Sequence, residues 1–451
     1  MSPWLGIGGV LAVLVAFLVT LKVLQKRFAI HPELIRKVVH IGMGLVTLSF
    51  PYLFGEVWPV LLLAIASTAL LLSVRFFSPV QKELGSVLNS VGRDSLGEIY
   101  FPISVFIIFW LSHGDHVLFL VPVLVLTLAD ATGALIGIRY GLSPYQTDEG
   151  QKSLEGSLAF FLVAFLSVHV PVLLLNATGR EESLLIGLTL AFVIMLMEAI
   201  SWRGLDNLFV PLTTFVLLKI FLLLDAWAMI ERLIVVVAMV VAMLAWRRYT
   251  YLSRSAVIGG ALVFYTSWAL GDWHWLLAPV MMLIGYSLLC PEAPGPQKRF
   301  DHTVHAIFYI ATTGLVWLFL SKSLTCANFI YPYGVAYAAH LGMVALAYFK
   351  RRDSAELLAR FPVLKSIVLG FSIPALPYIW VWRQNPHDRV LALAAFILVG
   401  FAVVLFSKIQ PGMDDCPNDR ERWMRQGLIA AFVSVLAFLI IDYLEPWSTS
   451  F

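Results

Sequence analysis

Residues 120–141 read LVPVLVLTLADATGALIGIRYG. An apolar run of this length crosses a bilayer as a helix. One acid interrupts it: Asp130, about ten residues before the end of the run, or roughly 15 Å along a helix axis. An isolated carboxylate at that depth must be neutral, paired or bound to a cation. Gly133, Gly137 and Gly141 follow at steps of four and share its face. They form either a small-residue ridge for a neighbouring helix or a face left bare so that a phosphate and its metal can approach the backbone. Gly141 also suits a left-handed cap that ends the helix.

The same pattern recurs along the chain. Of its 451 residues, 60% are hydrophobic and 13% charged, which excludes a soluble globular protein. Mean hydropathy is +0.86. Apolar runs recur from 3–24, 38–54 and 57–77, through 100–119, 120–140 and 157–175, to 390–407 and 427–444. The expectation is an all-α, polytopic transmembrane helical bundle of about 14–16 spans. "LSHGDHVLFL" (111–120) leaves room only for a tight turn, with His113 and His116 in it.

The first run has no basic residue ahead of it and Lys22, Lys26 and Arg27 behind it. That order fits a first span with its N-terminus outside rather than a cleavable signal peptide. Basic loops alternate with nearly neutral ones. Arg36, Lys37, Lys82, Arg93, Arg139, Lys152, Arg203, Arg247 and Arg248 fall on one side, and little beyond Arg180, Lys322, Arg383 and Arg389 on the other. The first side reads as cytoplasmic. Net charge is only +3 and says little about partners; no nucleic acid is expected. Cys290, Cys326 and Cys416 form no CxxC, no disulfide framework and no zinc signature.

The polar clusters fall on the cytoplasmic side of the first half: "IRKVVHIGMG" (35–44), "VGRDSLGEIYFP" (91–102), "ADATGALIGIRYG" (129–141), "QKSLEGS" (151–157) and "EAISWRGLDNLFVP" (198–211). A boundary near Asp225 therefore separates a catalytic-looking 1–225 from an accessory 226–451. Lys37 and His40 share a helix surface; both also suit bland roles, as an interfacial snorkeler and a helix–helix hydrogen bond. Asp206 suits an N-cap, with Pro211 in the first turn after it. Asp414, Asp415 and Asp419 read as a solvated loop. Yet Asp130, Glu155, Glu198 and Asp206 put four acids at one membrane face, where they would repel unless neutralised. Lys37, Arg93 and Lys152 supply cations. Oxygen ligands beside several cations describe a Mg²⁺–nucleotide site.

These motifs, in this order, resemble the polyprenol kinase family: dolichol and phytol kinases, with CTP-dependent diacylglycerol kinases and phosphatidate cytidylyltransferases as relatives. The resemblance covers about residues 30–225. It rests on "RKxxH" at Arg36, Lys37 and His40, "GRxSxGExxFP" from Gly92 to Pro102, and "E…DNxxVP" from Glu198 to Pro211. It rests also on Asp130 with its glycines, followed by a short polar loop and "QKSLEG". Gln151 stands where that family has a lysine, and Ser153 where it has threonine. The resemblance implies transfer of a phosphoryl group from CTP to the hydroxyl of an isoprenoid alcohol such as phytol or dolichol. It implies Asp130, Asp206 and Glu198 on the metal side, with Lys152, Ser153, Gly156, Ser157, Lys37, Arg93, Asn207 and the three glycines toward the nucleotide. Glu155 joins the catalytic set, and His40 and Asp206 are both candidate bases. Alternatives are a diacylglycerol kinase or a CDP-lipid-forming cytidylyltransferase, and a transporter with acids lining a pathway. All the acids lie on one side of the membrane, which disfavours the transporter.

Overall fold

The structure is a computed structural model that describes residues 2–28, 32–76, 96–147, 150–250, 252–289, 303–324, 329–352, 361–382, 387–410 and 420–444. Lys82, Arg93, the three cysteines and the acids of 414–419 lie outside those residues. The chain is a polytopic α-helical bundle. Ten helices among the described residues are long and apolar enough to cross a membrane, and four shorter apolar helices accompany them. It divides into two compact units, Met1–Ile234 and Val235–Phe451.

The first unit opens with α1 (Pro3–Phe28), α2 (Pro32–Thr47), the short α3 (Phe50–Leu53), α4 (Trp58–Phe76) and α5 (Gly97–Ser112). A turn at His113 and Gly114, both with positive φ, reverses the chain. Asp115 then caps α6 (His116–Leu124), its carboxylate accepting the Leu118 N–H at 3.0 Å. The helix passes through one π turn (Val125–Ala129) and continues as α7 (Asp130–Tyr140). This composite helix is the axis of the unit, with α2, α5, α8 (Leu154–Leu175) and α10 (Asp206–Phe221) packed around it. Val121, Val123, Val125, Leu126, Ala129 and Ala131 are fully or almost fully buried. The axis therefore faces protein, and Asp130 is held within the bundle rather than in lipid. α9 (Arg180–Ile200) packs on α8 and α10.

Three local expectations change. The polar loop after α7 is a β-hairpin, β1 (Pro144–Thr147) paired antiparallel with β2 (Gly150–Ser153). Gly141 ends α7 in an extended conformation, not a left-handed cap. What it must lack is a side chain, since a Cβ there would strike the Gly137 carbonyl and the Ser153 side chain. Leu205, not Asp206, is the N-cap of α10. Asp206 is its first residue and Pro211 its sixth, in the second turn rather than the first. There it has no N–H to offer the Asn207 carbonyl four residues back.

The second unit, taken by itself, begins within α11 (Ala226–Trp246). It continues through α12 (Arg254–Thr266), α13 (Trp273–Leu289), α14 (Val304–Leu324), α15 (Ile330–Arg352), α16 (Pro362–Trp382), α17 (Asp388–Ile409) and α18 (Arg420–Leu444). Its axis is α15, buried along almost its whole span because α13, α14, α16, α17 and α18 surround it. Small residues (Ala336, Ala339, Ala345, Ala347) let those helices approach.

Candidate active site

The site is built where α7 begins. Lys37, from α2, meets Asp130 at 2.8 Å, with only 5% and 15% of the two side chains exposed. His40 lies one turn along α2. Its Nε2–H donates to the Leu126 carbonyl at 2.9 Å and stands 3.7 Å from the same Asp130 oxygen. Leu126 lies in the π turn, where the regular backbone ladder is interrupted and a carbonyl can accept from outside. The ring also packs edge-on against Phe101 of α5. The π turn thus fixes His40, and α2 as a whole fixes the carboxylate.

A second pair lies beside the first. Lys152 donates to the Glu198 carboxylate at 2.7 Å and to the Glu198 main-chain carbonyl. Burial alone would pull the Lys152 ammonium's pKa down; the Glu198 carboxylate outweighs it, and the pKa is raised. Hairpin register places Tyr145 directly opposite Lys152, hence on the same face of the two strands. Its hydroxyl shares a 2.8 Å hydrogen bond with Ser157, and burial raises the phenol's pKa. Sequence reading missed Tyr145. The available signal was the alternation in "PYQT", one strand too short to stand out.

Asp206 is the third acid, within electrostatic reach of Asp130, Lys152, Glu198 and Lys37. Its Oδ1 is buried and accepts no hydrogen bond, and the same is true of the Asn207 Oδ1. Two lysines thus face three carboxylates, and the uncompensated charge falls on an acid with an orphaned oxygen. No group of three or more His, Cys, Asp and Glu side chains converges at metal-ligand spacing among the described residues. Mg²⁺ does not need one: it is commonly held by one or two carboxylates with phosphate oxygens and water completing the shell. Two buried, unpartnered hard oxygens on adjacent residues fit that requirement.

The remaining candidates divide. Ser153 caps α8 by accepting the Gly156 N–H at 3.2 Å, so that amide is already committed. Ser157 joins the site through Tyr145. Gly133 and Gly137 lie against Gly156, where an added Cβ would come within 3.1 Å of the Gly156 carbonyl and of Ser153 Oγ respectively. The glycine ridge is therefore filled by α8. Glu155 turns away, its carboxylate accepting the Ser143 N–H at 3.1 Å and 3.2 Å on an exposed edge. It staples the hairpin to α8 and does not join the other acids.

A multi-pass helical bundle with ion-paired acids and lysines buried partway along its central helix is an integral membrane protein with a charged centre in a low-dielectric setting. The chain is 32% identical over 218 residues to the phytol kinase of Synechocystis sp., an alignment covering 46% of this chain and 88% of that protein. The chain belongs to the phytol kinase family and is a phosphotransferase of the kinase type. No family profile and no solved structure matches it.

Proposed function

We propose that this chain is a membrane-embedded kinase that transfers the terminal phosphoryl group of a nucleoside triphosphate, CTP, to the hydroxyl of an isoprenoid alcohol such as phytol or dolichol. The observation that carries the reading is the excess carboxylate. Lys37 neutralises Asp130 and Lys152 neutralises Glu198, while Oδ1 of Asp206 and Oδ1 of Asn207 stay buried without hydrogen-bond partners. A divalent cation, Mg²⁺ in this reading, would be held by Asp206 and Asn207, with Asp130 and Glu198 close by. It supplies neutralisation of the charge spread over the phosphate oxygens.

The side chains do the rest by positioning. Phosphoryl transfer needs little covalent help from the protein and is accelerated mainly by alignment and charge stabilisation. Lys152, held by Glu198, and Lys37, held by Asp130, present ammonium groups whose places are fixed before substrate arrives. His40 keeps its Nε2 proton on the Leu126 carbonyl, so that nitrogen orients rather than accepts. Asp206, the acid without a lysine of its own, takes the alcohol's proton as the new bond forms. The hairpin shields the nucleotide side through Tyr145 and Ser157. The basic-loop pattern supports a cytoplasmic position for this end of the bundle, and the apolar tail of the alcohol would lie among the helices.

The reading is tested by incubating the purified full-length protein with labelled nucleoside triphosphates and, separately, phytol, farnesol-type alcohols, dolichol and diacylglycerol. A labelled isoprenyl phosphate that forms fastest with CTP is expected. Label entering diacylglycerol alone would overturn the choice of acceptor.

A further inference from the structure

Glycine inside a helix is less stable than alanine there, so an interior glycine on a packed face calls for a reason. α2 has two such residues. Gly42 lies against Phe17 of α1, where an added Cβ would meet ring carbons only, and a ring at the end of its side chain can swing aside. Gly44 is different. It is buried and lies against Thr127 in the π turn, where an added Cβ would come within 2.0 Å of Oγ1, 2.4 Å of Cγ2 and 2.7 Å of Cβ. Rotating the Thr127 side chain does not clear it, because that Cβ is bonded directly to the backbone. Ordinary contact begins at 3.4 Å, so α2 and the π turn would have to part by about 0.7 Å, the shortfall from 2.7 Å.

That close approach bears on the site. Lys37, His40 and Gly44 follow at steps of three and four and so share one face of α2. Down that face run three contacts with the central helix: Lys37 on Asp130, His40 on the Leu126 carbonyl and Gly44 on Thr127. The first two are polar and tolerate small changes in separation. The third is a steric stop, and helices approach as far as the side chains between them permit. Thr127 does not serve through its hydroxyl, since it is completely buried and Oγ1 has no hydrogen-bond partner. Its shape fills the gap that Gly44 leaves.

We propose that Gly44 is a positioning residue: its contact with Thr127 seats α2 on the π turn at the separation that puts the Lys37 ammonium and the His40 ring at Asp130. The seat is a property of the packing, and only its effect on turnover rests on the kinase reading. Groups held in place before substrate arrives contribute through alignment, and a misplacement of about 1 Å can cost on the order of a hundredfold in rate.

The test reads the seat apart from turnover. Full-length protein in nanodiscs is treated with a water-soluble amine-acetylating reagent, and modification of Lys37 is mapped by mass spectrometry against that of Lys152. The Lys37 side chain is 5% exposed and paired across the seat, whereas Lys152 is held on other elements, by the hairpin and Glu198. In Gly44→Ala, modification of Lys37 should rise at least about tenfold while that of Lys152 stays within about twofold, and turnover should fall at least about tenfold. The exchange Gly44→Ala/Thr127→Gly moves the missing side chain to the other helix and should return both readings to within about threefold of wild type. Thr127→Val keeps the shape and removes the unpartnered hydroxyl, so Lys37 should stay protected. Protection of Lys37 in Gly44→Ala, a parallel rise at Lys152, or an exchange that fails to restore protection would overturn the proposal. If Gly44→Ala does not fold, the exchange must still give folded protein with Lys37 protected. Lys37 exposed at undiminished turnover would overturn the positioning role while leaving phosphoryl transfer itself standing.

Discussion

Lys37 and Asp130 are 93 residues apart in sequence and 2.8 Å apart in space. The pair anchors α2 to the point where the central helix leaves its π turn. Breaking a buried pair by removing one partner costs about 3–5 kcal/mol, because the other charge is left uncompensated. Lys37→Met and Asp130→Leu should each lower the melting temperature in detergent. The double variant should recover most of that loss while remaining inactive. Recovery of turnover in the double variant would show that the pair serves stability alone.

Asp206 should behave in the opposite way. Its carboxylate has no lysine of its own and an orphaned oxygen, so Asp206→Asn removes a buried charge without stranding another. Stability should be unchanged or higher, with kcat lower by roughly a hundredfold, the usual scale for losing one fixed electrostatic group. A Mg²⁺ titration checks this: the variant should need more cation to reach its residual rate.

Tyr145→Phe deletes one hydrogen bond, to Ser157, and leaves the ring in place. A net loss near 1 kcal/mol corresponds to about a fivefold rise in nucleotide KM, with kcat nearly unchanged. Initial rates over a nucleotide series would show it. A fall in kcat at constant KM would instead place the phenol in the chemical step.

Glu155→Gln should matter little, since the wild-type carboxylate lies on an exposed edge and accepts from nearby backbone amides, Ser143 among them. Turnover within about twofold of wild type is expected, as for surface positions generally. A collapse of activity would mean that the hairpin closes and carries Glu155 inward.

The raised pKa of Lys152 sets a pH expectation. A lysine whose folded pKa exceeds its unfolded value of 10.5 contributes fully below that value and loses its contribution as pH rises through the folded one. Between pH 7 and 9, therefore, no stability should be lost through the Lys152–Glu198 pair, and thermal melts across that window should show none.

Much of this molecule is legible in its sequence because a bilayer allows few solutions. The runs at 120–140, 157–175 and 329–349 could only be helices, and the depth of Asp130 followed from helix rise alone. The acids of 198–211 and the lysines at 37 and 152 were recognisable as one face. Their pairing was not legible: Lys152 could have served Asp206 or Asp130 as readily as Glu198, and only packing selects. The π turn leaves no mark in "VLTLA". The hairpin was hidden because strands of four residues, mostly polar and carrying Pro144 and Gly150, read as a loop. The side-chain direction of Glu155, onto the Ser143 amide, was not legible either, since membership of a motif does not say which way a side chain turns once α8 is capped at Ser153.

The central claim is phosphoryl transfer at the Asp206 end of the bundle, and the most direct measurement follows both products from γ-labelled CTP and a long-chain isoprenoid alcohol. The account predicts labelled lipid phosphate and CDP in equal amounts from wild type, and roughly a hundredfold less of each from Asp206→Asn. Labelled pyrophosphate released with formation of a CDP-lipid would contradict it.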